Sequence, residues 1–256
     1  MQRARPGVSL ARALLLAAAL TLTACAQAGT SGEGQARSRP LGLFTSLPIF
    51  WAETADLRDL LRSDAPPHWV LAALRRQGEV RPLDSLMAEG TAPVLAGIGT
   101  LVMAQPRVLA PEENVALDAW VRGGGRLLLF ADPMLTEESA YSLGDKRRPQ
   151  DIVLLSPILA HWQLRLEFDE DQPAGERQVG IAGIALPVNL PGRLLVTPGS
   201  RRCTLLGKGI VAQCRLGKGQ ALIVADAALL ERQRDPQASG AGVALDWLLA
   251  RLAAAR

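Results

Sequence analysis

Histidine and cysteine are scarce, with two and three respectively among 256 residues. His68 and His161 lie far apart, and no His or Cys cluster has ligand spacing, so the sequence offers no metal site. No Gly-x-Ser-x-Gly or Gly-x-Cys-x-Gly elbow occurs. Neither histidine is placed as a general base: His68 falls in the first turn of a predicted helix and His161 at the end of another. No catalytic residue and no cofactor is assigned on these grounds. The acidic run Asp169-Glu170-Asp171 lacks the spaced ligands and central glycine of a calcium loop and reads as surface. Long apolar runs are missing too. The run Ala13 to Leu22 is half of the roughly 20 residues that a bilayer-spanning helix needs. An excess of positive charge is also absent outside the N-terminus. The formal net charge of +3 comes from Arg3, Arg5 and Arg12, and the remaining chain holds equal numbers of basic and acidic residues. A neutral chain has no electrostatic footprint for nucleic acid, whose binding needs clustered Lys and Arg.

What is present begins with a leader. Arg3, Arg5 and Arg12 form a positive n-region, Ala13 to Leu22 an apolar h-region, and Leu22-Thr23-Ala24-Cys25 closes it with small residues before the cysteine. This motif resembles the lipobox of bacterial lipoproteins. The resemblance implies a signal peptide over residues 1–24, a lipid (palmitate) on Cys25, and an exported chain facing the periplasm. Ala26 stands where inner-membrane lipoproteins usually carry aspartate, which favours the outer membrane. The alternative is an ordinary cleaved leader in which Cys25 is incidental. Residues 25–40 are small, polar and glycine-rich, a composition expected of a flexible tether.

From Leu41 onward strand-like and helix-like segments alternate, which predicts a single α/β domain over 41–256. The expected architecture is a mostly parallel sheet with helices on both faces, flavodoxin-like or class I glutamine amidotransferase-like, with a β-rich insertion around 178–216. Leu41 to Leu47, Thr100 to Ala104, Arg126 to Ala131 and Gln220 to Ala225 read as buried strands. Helices are predicted up to Arg62, over Pro67 to Gln77, and from Pro111 to the glycines at 123–125. Two more are predicted from a Ser156 cap through Trp162, and over Val243 to Leu252 with Val243, Leu245, Trp247, Leu248 and Leu252 packed inward.

Two carboxylates draw attention. Asp132 and Asp226 each follow a buried strand, and in open parallel sheets ligands sit beyond the carboxyl ends of strands. They either converge on one site or cap the loops that follow them. The loop over 133–150 leaves the same edge and carries Lys146, Arg147 and Arg148, a candidate binding edge or a solvated basic run. Cys203 and Cys214 flank a predicted hairpin. A two-residue turn at Lys208-Gly209 places them directly opposite each other at a separation that a disulfide tolerates. A turn centred on Gly207-Lys208-Gly209 slips the register, and two buried thiols are the alternative to a bridge.

Three segments resemble one family. Gln105-Pro106 with Pro111 to Pro133, then Gly217 to Leu230, then the VALDWLLARL helix, are similar to the soluble domain of gliding-motility-type ABC-transporter auxiliary proteins. That family is related to intraflagellar-transport-like domains with a class I glutamine amidotransferase-like fold. The resemblance implies an accessory role beside an ABC-type transporter and no amidotransferase chemistry, since nothing matches the cysteine, histidine and glutamate of the true enzymes. The expected function is a non-catalytic, lipid-anchored envelope binding protein with a protein partner. The alternatives are an envelope hydrolase using carboxylates at the strand ends and a structural lipoprotein.

Overall fold

Short aliphatic runs, uncharged past their first residue, become the central strands. In the computed structural model, which describes residues 39–53, 67–87, 93–232 and 234–254, the first four strands in chain order are β1 (Leu41–Thr45), β2 (Val80–Pro82), β3 (Thr100–Ala104) and β4 (Arg126–Phe130). They are followed by β5 (Leu164–Glu167), β6 (Arg177–Ile181), β7 (Ile184–Val188), β8 (Arg193–Val196), β9 (Cys203–Leu206), β10 (Val211–Leu216) and β11 (Gly219–Val224). Four helices accompany them: α1 (Trp69–Gln77), α2 (Pro111–Arg122), α3 (Ser156–His161) and α4 (Ala241–Ala254). The leader, Cys25, most of the tether and the helix expected up to Arg62 lie outside the described residues.

Seven strands form one sheet in the order β2-β1-β3-β4-β11-β10-β9. The pairs from β2 to β11 are parallel, whereas β11–β10 and β10–β9 are antiparallel. The chain steps outward from β1 to β2 and then returns to the other side of β1 as β3, so the order reverses between β1 and β3. That reversal is where doubly wound sheets open a ligand crevice.

Period-two alternation sends successive side chains to opposite faces, and both faces are covered. Leu41, Leu43, Val102, Ala104, Leu128, Phe130, Leu222 and Val224 share one core with α1 and α4. Leu101, Met103, Leu127, Leu129, Ala221 and Ile223 share the other with α2 and α3. Trp162 is fully buried in the second core, and its indole Nε1–H donates to Asp118 Oδ1 at 2.8 Å. Gly219 opens β11 against the end of α2, where any Cβ would overlap Val121 O and Gly125 O.

Two local expectations change. Val243 is 62% exposed, because α4 begins at Ala241 and turns Ala244, Leu245, Leu248, Leu249 and Leu252 toward the core. Ser156 does not cap α3: Leu155 holds that position without a side-chain bond, and Ser156 is the first helical residue. The β-rich stretch is also distributed. β6 and β7 form their own hairpin, β5 pairs with β8, and β9 and β10 extend the main sheet.

The hairpin register pairs Cys203 with Cys214, and the two are joined by a disulfide with Cα atoms 4.0 Å apart. Gly207, Lys208 and Gly209 turn the chain with φ of 56°, 57° and 96°, and the glycines take this left-handed region without a Cβ penalty.

Candidate functional site

The parallel register between β4 and β11 matches Phe130 to Val224, so Asp132 and Asp226, two residues beyond each, emerge side by side. The sheet therefore brings the two aspartates together. It also buries them, both at 1% exposure or less. Every carboxylate oxygen has a backbone partner. Asp132 Oδ1 accepts from Met134 N at 2.8 Å, and Oδ2 accepts from Ala227 N at 2.9 Å. Asp226 Oδ1 accepts from Ala228 N at 2.6 Å, and Oδ2 accepts from Asn189 N at 2.9 Å. One oxygen of each makes the local turn typical of aspartate, to the residue two positions on. The other crosses to a different loop. The pair thus clasps the segments after β4, β7 and β11 together.

Burial sets their protonation. Desolvation pushes Asp132 up to about 6, against the pull of the Met134 and Ala227 amides. Desolvation also raises Asp226 well above the carboxylate range, and the nearby Asp132 charge adds to the rise. Two carboxyls this close titrate as a unit, and the pair retains protons well above the usual carboxylate range.

The crevice between β1 and β3 is closed by the chain itself. Gln105, fully buried with φ 45°, follows β3 and lays its amide along the backbone of Asp132. Its Oε1 accepts from Asp132 N at 2.9 Å, while its Nε2 donates to Asp132 O at 3.0 Å and Gln150 O at 2.8 Å. Ser46, just past β1, accepts from Gln150 N at 3.1 Å and donates to Gln105 O. Loop 133–150 is thereby drawn over the point where the strand order reverses.

The basic run in that loop is largely spent on the loop. Arg147 forks onto Asp145, with Nη2 at 2.7 Å, and its guanidinium lies 4.2 Å from the centre of the Tyr141 ring. Hydrogen bonds from Arg147 hold the Asp145 carboxyl down to about 2. Arg148 pairs with Asp151 at 3.0 Å and donates to Tyr141 O. Lys146 stays exposed. As a binding edge, then, Asp132 and Asp226 are withdrawn from solvent and two of the three basic residues are engaged within their own loop.

Sequence reasoning missed a polar cluster beside the aspartates. Glu231 accepts from Thr136 Oγ1 at 2.8 Å and pairs with Arg234 at 3.0 Å. Arg234, itself buried, also pairs with Glu176 at 2.8 Å and donates to Ala228 O. Glu137 accepts from Arg232 N at 3.1 Å and is pushed up to about 7, chiefly by burial, with the Glu231 and Glu53 charges adding to it. Unlike the aspartates, Glu137 is half-buried. Its position one loop from Asp132 is the only cue the sequence holds.

The histidines stay outside this cluster. His68 caps α1, its Nδ1 accepting from Val70 N at 3.2 Å, and burial with the Arg232 charge lowers it to about 4. His161 sits on α3 at 3.3 Å from Asp118. No group of three His, Cys, Asp or Glu among the described residues is arranged to hold a metal ion. No helix among them is long and apolar enough to cross a membrane.

No family model matches the chain, and no curated protein matches it. Solved structures do. The mmIFT52 N-terminal domain is 13% identical with a TM-score of 0.51, over 84% of this chain and 97% of that one. The exo-β-1,4-mannosidase Op5Man5 from Opitutaceae bacterium strain TAV5 is 13% identical with a TM-score of 0.49, over 82% of this chain. The present chain spans 35% of the mannosidase's length. The cytoplasmic protein STM3548 from Salmonella typhimurium is 11% identical with a TM-score of 0.46, over 83% of this chain and 98% of that one. At such identities the likeness concerns the fold alone.

Proposed function

We propose that this chain is an exported lipoprotein, acylated at Cys25, whose α/β domain is a non-catalytic binding module of the cell envelope. In this reading it faces the periplasm, with the outer membrane favoured. It engages an envelope protein partner as an accessory of an ABC-type transport system, in the manner of the gliding-motility-type auxiliary proteins that it resembles. Its scaffold is then class I glutamine amidotransferase-like, and the likeness to the mmIFT52 N-terminal domain supports that fold without bearing on the role.

The observation that carries the non-catalytic part is the closure of the strand-end edge. Asp132 and Asp226 spend all four oxygens on loop amides, and Gln105, Ser46 and Gln150 fill the reversal point. Cys203 and Cys214 are tied to each other, so neither is a free thiolate nucleophile. Crosslinking in intact cells at native expression tests the reading. A discrete membrane complex containing a transporter component is expected, and its loss is expected in Cys25→Ser. Recovery of the chain uncrosslinked, as an abundant free species, would favour a structural lipoprotein instead.

One observation favours a second reading, an envelope hydrolase working through carboxylates at this edge. Glu137 is half-buried and held near 7, the range suited to a general acid or base. Hydrolysis of a cell-wall or glycoside substrate by the purified chain, abolished in Glu137→Gln, would replace the binding role with this one.

A further inference from the structure

At the opposite edge of the sheet, where the parallel strands begin, lies a cavity of about 700 Å³. Leu41, Thr100, Arg126 and Gly219 open it at the starts of β1, β3, β4 and β11. Its charge is one-sided. Arg39, Arg126, Arg215 and Lys218 line it, and no carboxylate does among the described residues.

A bland role would be to neutralise the helix ends, because Gln77, Gly124 and Ala253 bring the carboxyl termini of α1, α2 and α4 to the same wall. Each helix end carries about half a negative charge, so three offset roughly 1.5 of the four positive charges and leave an excess of about 2.5. The bonding agrees with that excess. Gln220 Nε2, not a cation, donates to Leu252 O of α4, and the Lys218 backbone, not its ammonium, donates to Arg122 O of α2. Among the described residues the only recorded side-chain bond of the four cations is a long one, from Arg126 Nε to Gly99 O at 3.4 Å. None has an ion-pair partner there. The turn is also shaped by its glycines. Gly217, at φ 59°, has no room for a Cβ against Arg122.

We infer that this cavity binds a phosphate-bearing anion, held by Arg39, Arg126, Arg215 and Lys218. A concave wall of one sign concentrates the field on such a ligand, and guanidinium groups match phosphate oxygens in pairs. Two sources share the chemistry: a soluble phosphate, and the headgroup of an anionic phospholipid. The second fits the direction of the chain, which enters the domain through Arg39 at this same edge. The inference stands apart from acylation and from the proposed partner, since it uses only residues of the folded domain.

The test uses the full chain carrying Cys25→Ser, so that no acyl group drives membrane binding. Calorimetric titration with inorganic pyrophosphate is run beside sedimentation with phosphatidylcholine vesicles, with and without phosphatidylglycerol. The comparison is the double variant Arg215→Gln/Lys218→Gln, both exposed positions, with Arg126→Gln on the facing wall as the second variant. Pyrophosphate binding weakened by about tenfold or more in the variants assigns the site to a soluble phosphate. Binding only to phosphatidylglycerol vesicles, weakened likewise, assigns it to a headgroup. Failure to hold either probe, or variants that bind like the parent, overturns the inference.

Discussion

At the scale of single residues, Asp132 and Asp226 give the sharpest pH prediction. A carboxyl whose folded pKa stands above its unfolded value binds its proton more tightly when folded, so stability falls as pH rises between the two values. For Asp132 that window runs from about 4, the unfolded value, up to about 6. Denaturant titrations from about pH 4 to 7 are therefore expected to show the parent losing stability relative to Asp132→Asn, by up to about 3 kcal/mol. Parallel pH curves for the two proteins would refute the assignment. The aspartates themselves were legible as strand-end residues, because the uncharged runs before them mark where β4 and β11 stop. Their fate was not legible. Whether a carboxylate faces a crevice or a loop amide depends on Asn189 and Ala227, brought near only by the fold. Gln105 illustrates the same limit, since its partners Asp132 and Gln150 are set by the sheet rather than by any local pattern. Gly219 supplies a packing test at this scale. Gly219→Ala forces a methyl into Val121 O and Gly125 O and is expected to cost roughly 1–3 kcal/mol by thermal or urea melting.

Single elements carry two more expectations. The β9–β10 hairpin is closed by a disulfide between residues 11 apart, and a loop of that size constrains the unfolded chain by about 3 kcal/mol in the entropic account. Urea melting with and without reductant should differ by about 2–4 kcal/mol. Equal curves would mean that the bridge adds nothing to the sheet edge. The hairpin was readable because counting outward from Lys208-Gly209 leaves one register that opposes the cysteines, and the glycines allow the turn. The start of α2 is held by Glu113, which accepts from Ala110 N and Leu86 N and is forked by Arg107. These bonds, Arg107 first, hold Glu113 down to about 2. Glu113→Gln is expected to cost roughly 1.5–3 kcal/mol at neutral pH and to lose that effect as pH falls from about 4.5 toward 2. Pro111 and the acidic first turn announced this helix in the sequence, whereas the reach of Glu113 to Leu86 and Arg107 did not show. The α4 boundary failed for a related reason. Its sequence is apolar nearly all round, so periodicity alone did not reveal that Val243 faces outward and Leu249 inward.

Across the whole molecule the two ends of the parallel sheet differ in kind. At the carboxyl end, buried aspartates, a glutamine and a loop whose arginines are committed locally tie the strand-end segments together, beside a cavity of about 1100 Å³ lined in part by Pro133, Met134 and Leu190. The amino end, where the chain enters, is open and positively lined. The functional reading rests on one premise that the folded domain does not supply: export and acylation at Cys25. Metabolic labelling with radioactive palmitate in a Gram-negative host meets it directly. Label is expected on the processed chain that begins at Cys25 and absent from Cys25→Ser, whereas an unlabelled parent protein, expressed and stable, would contradict the account.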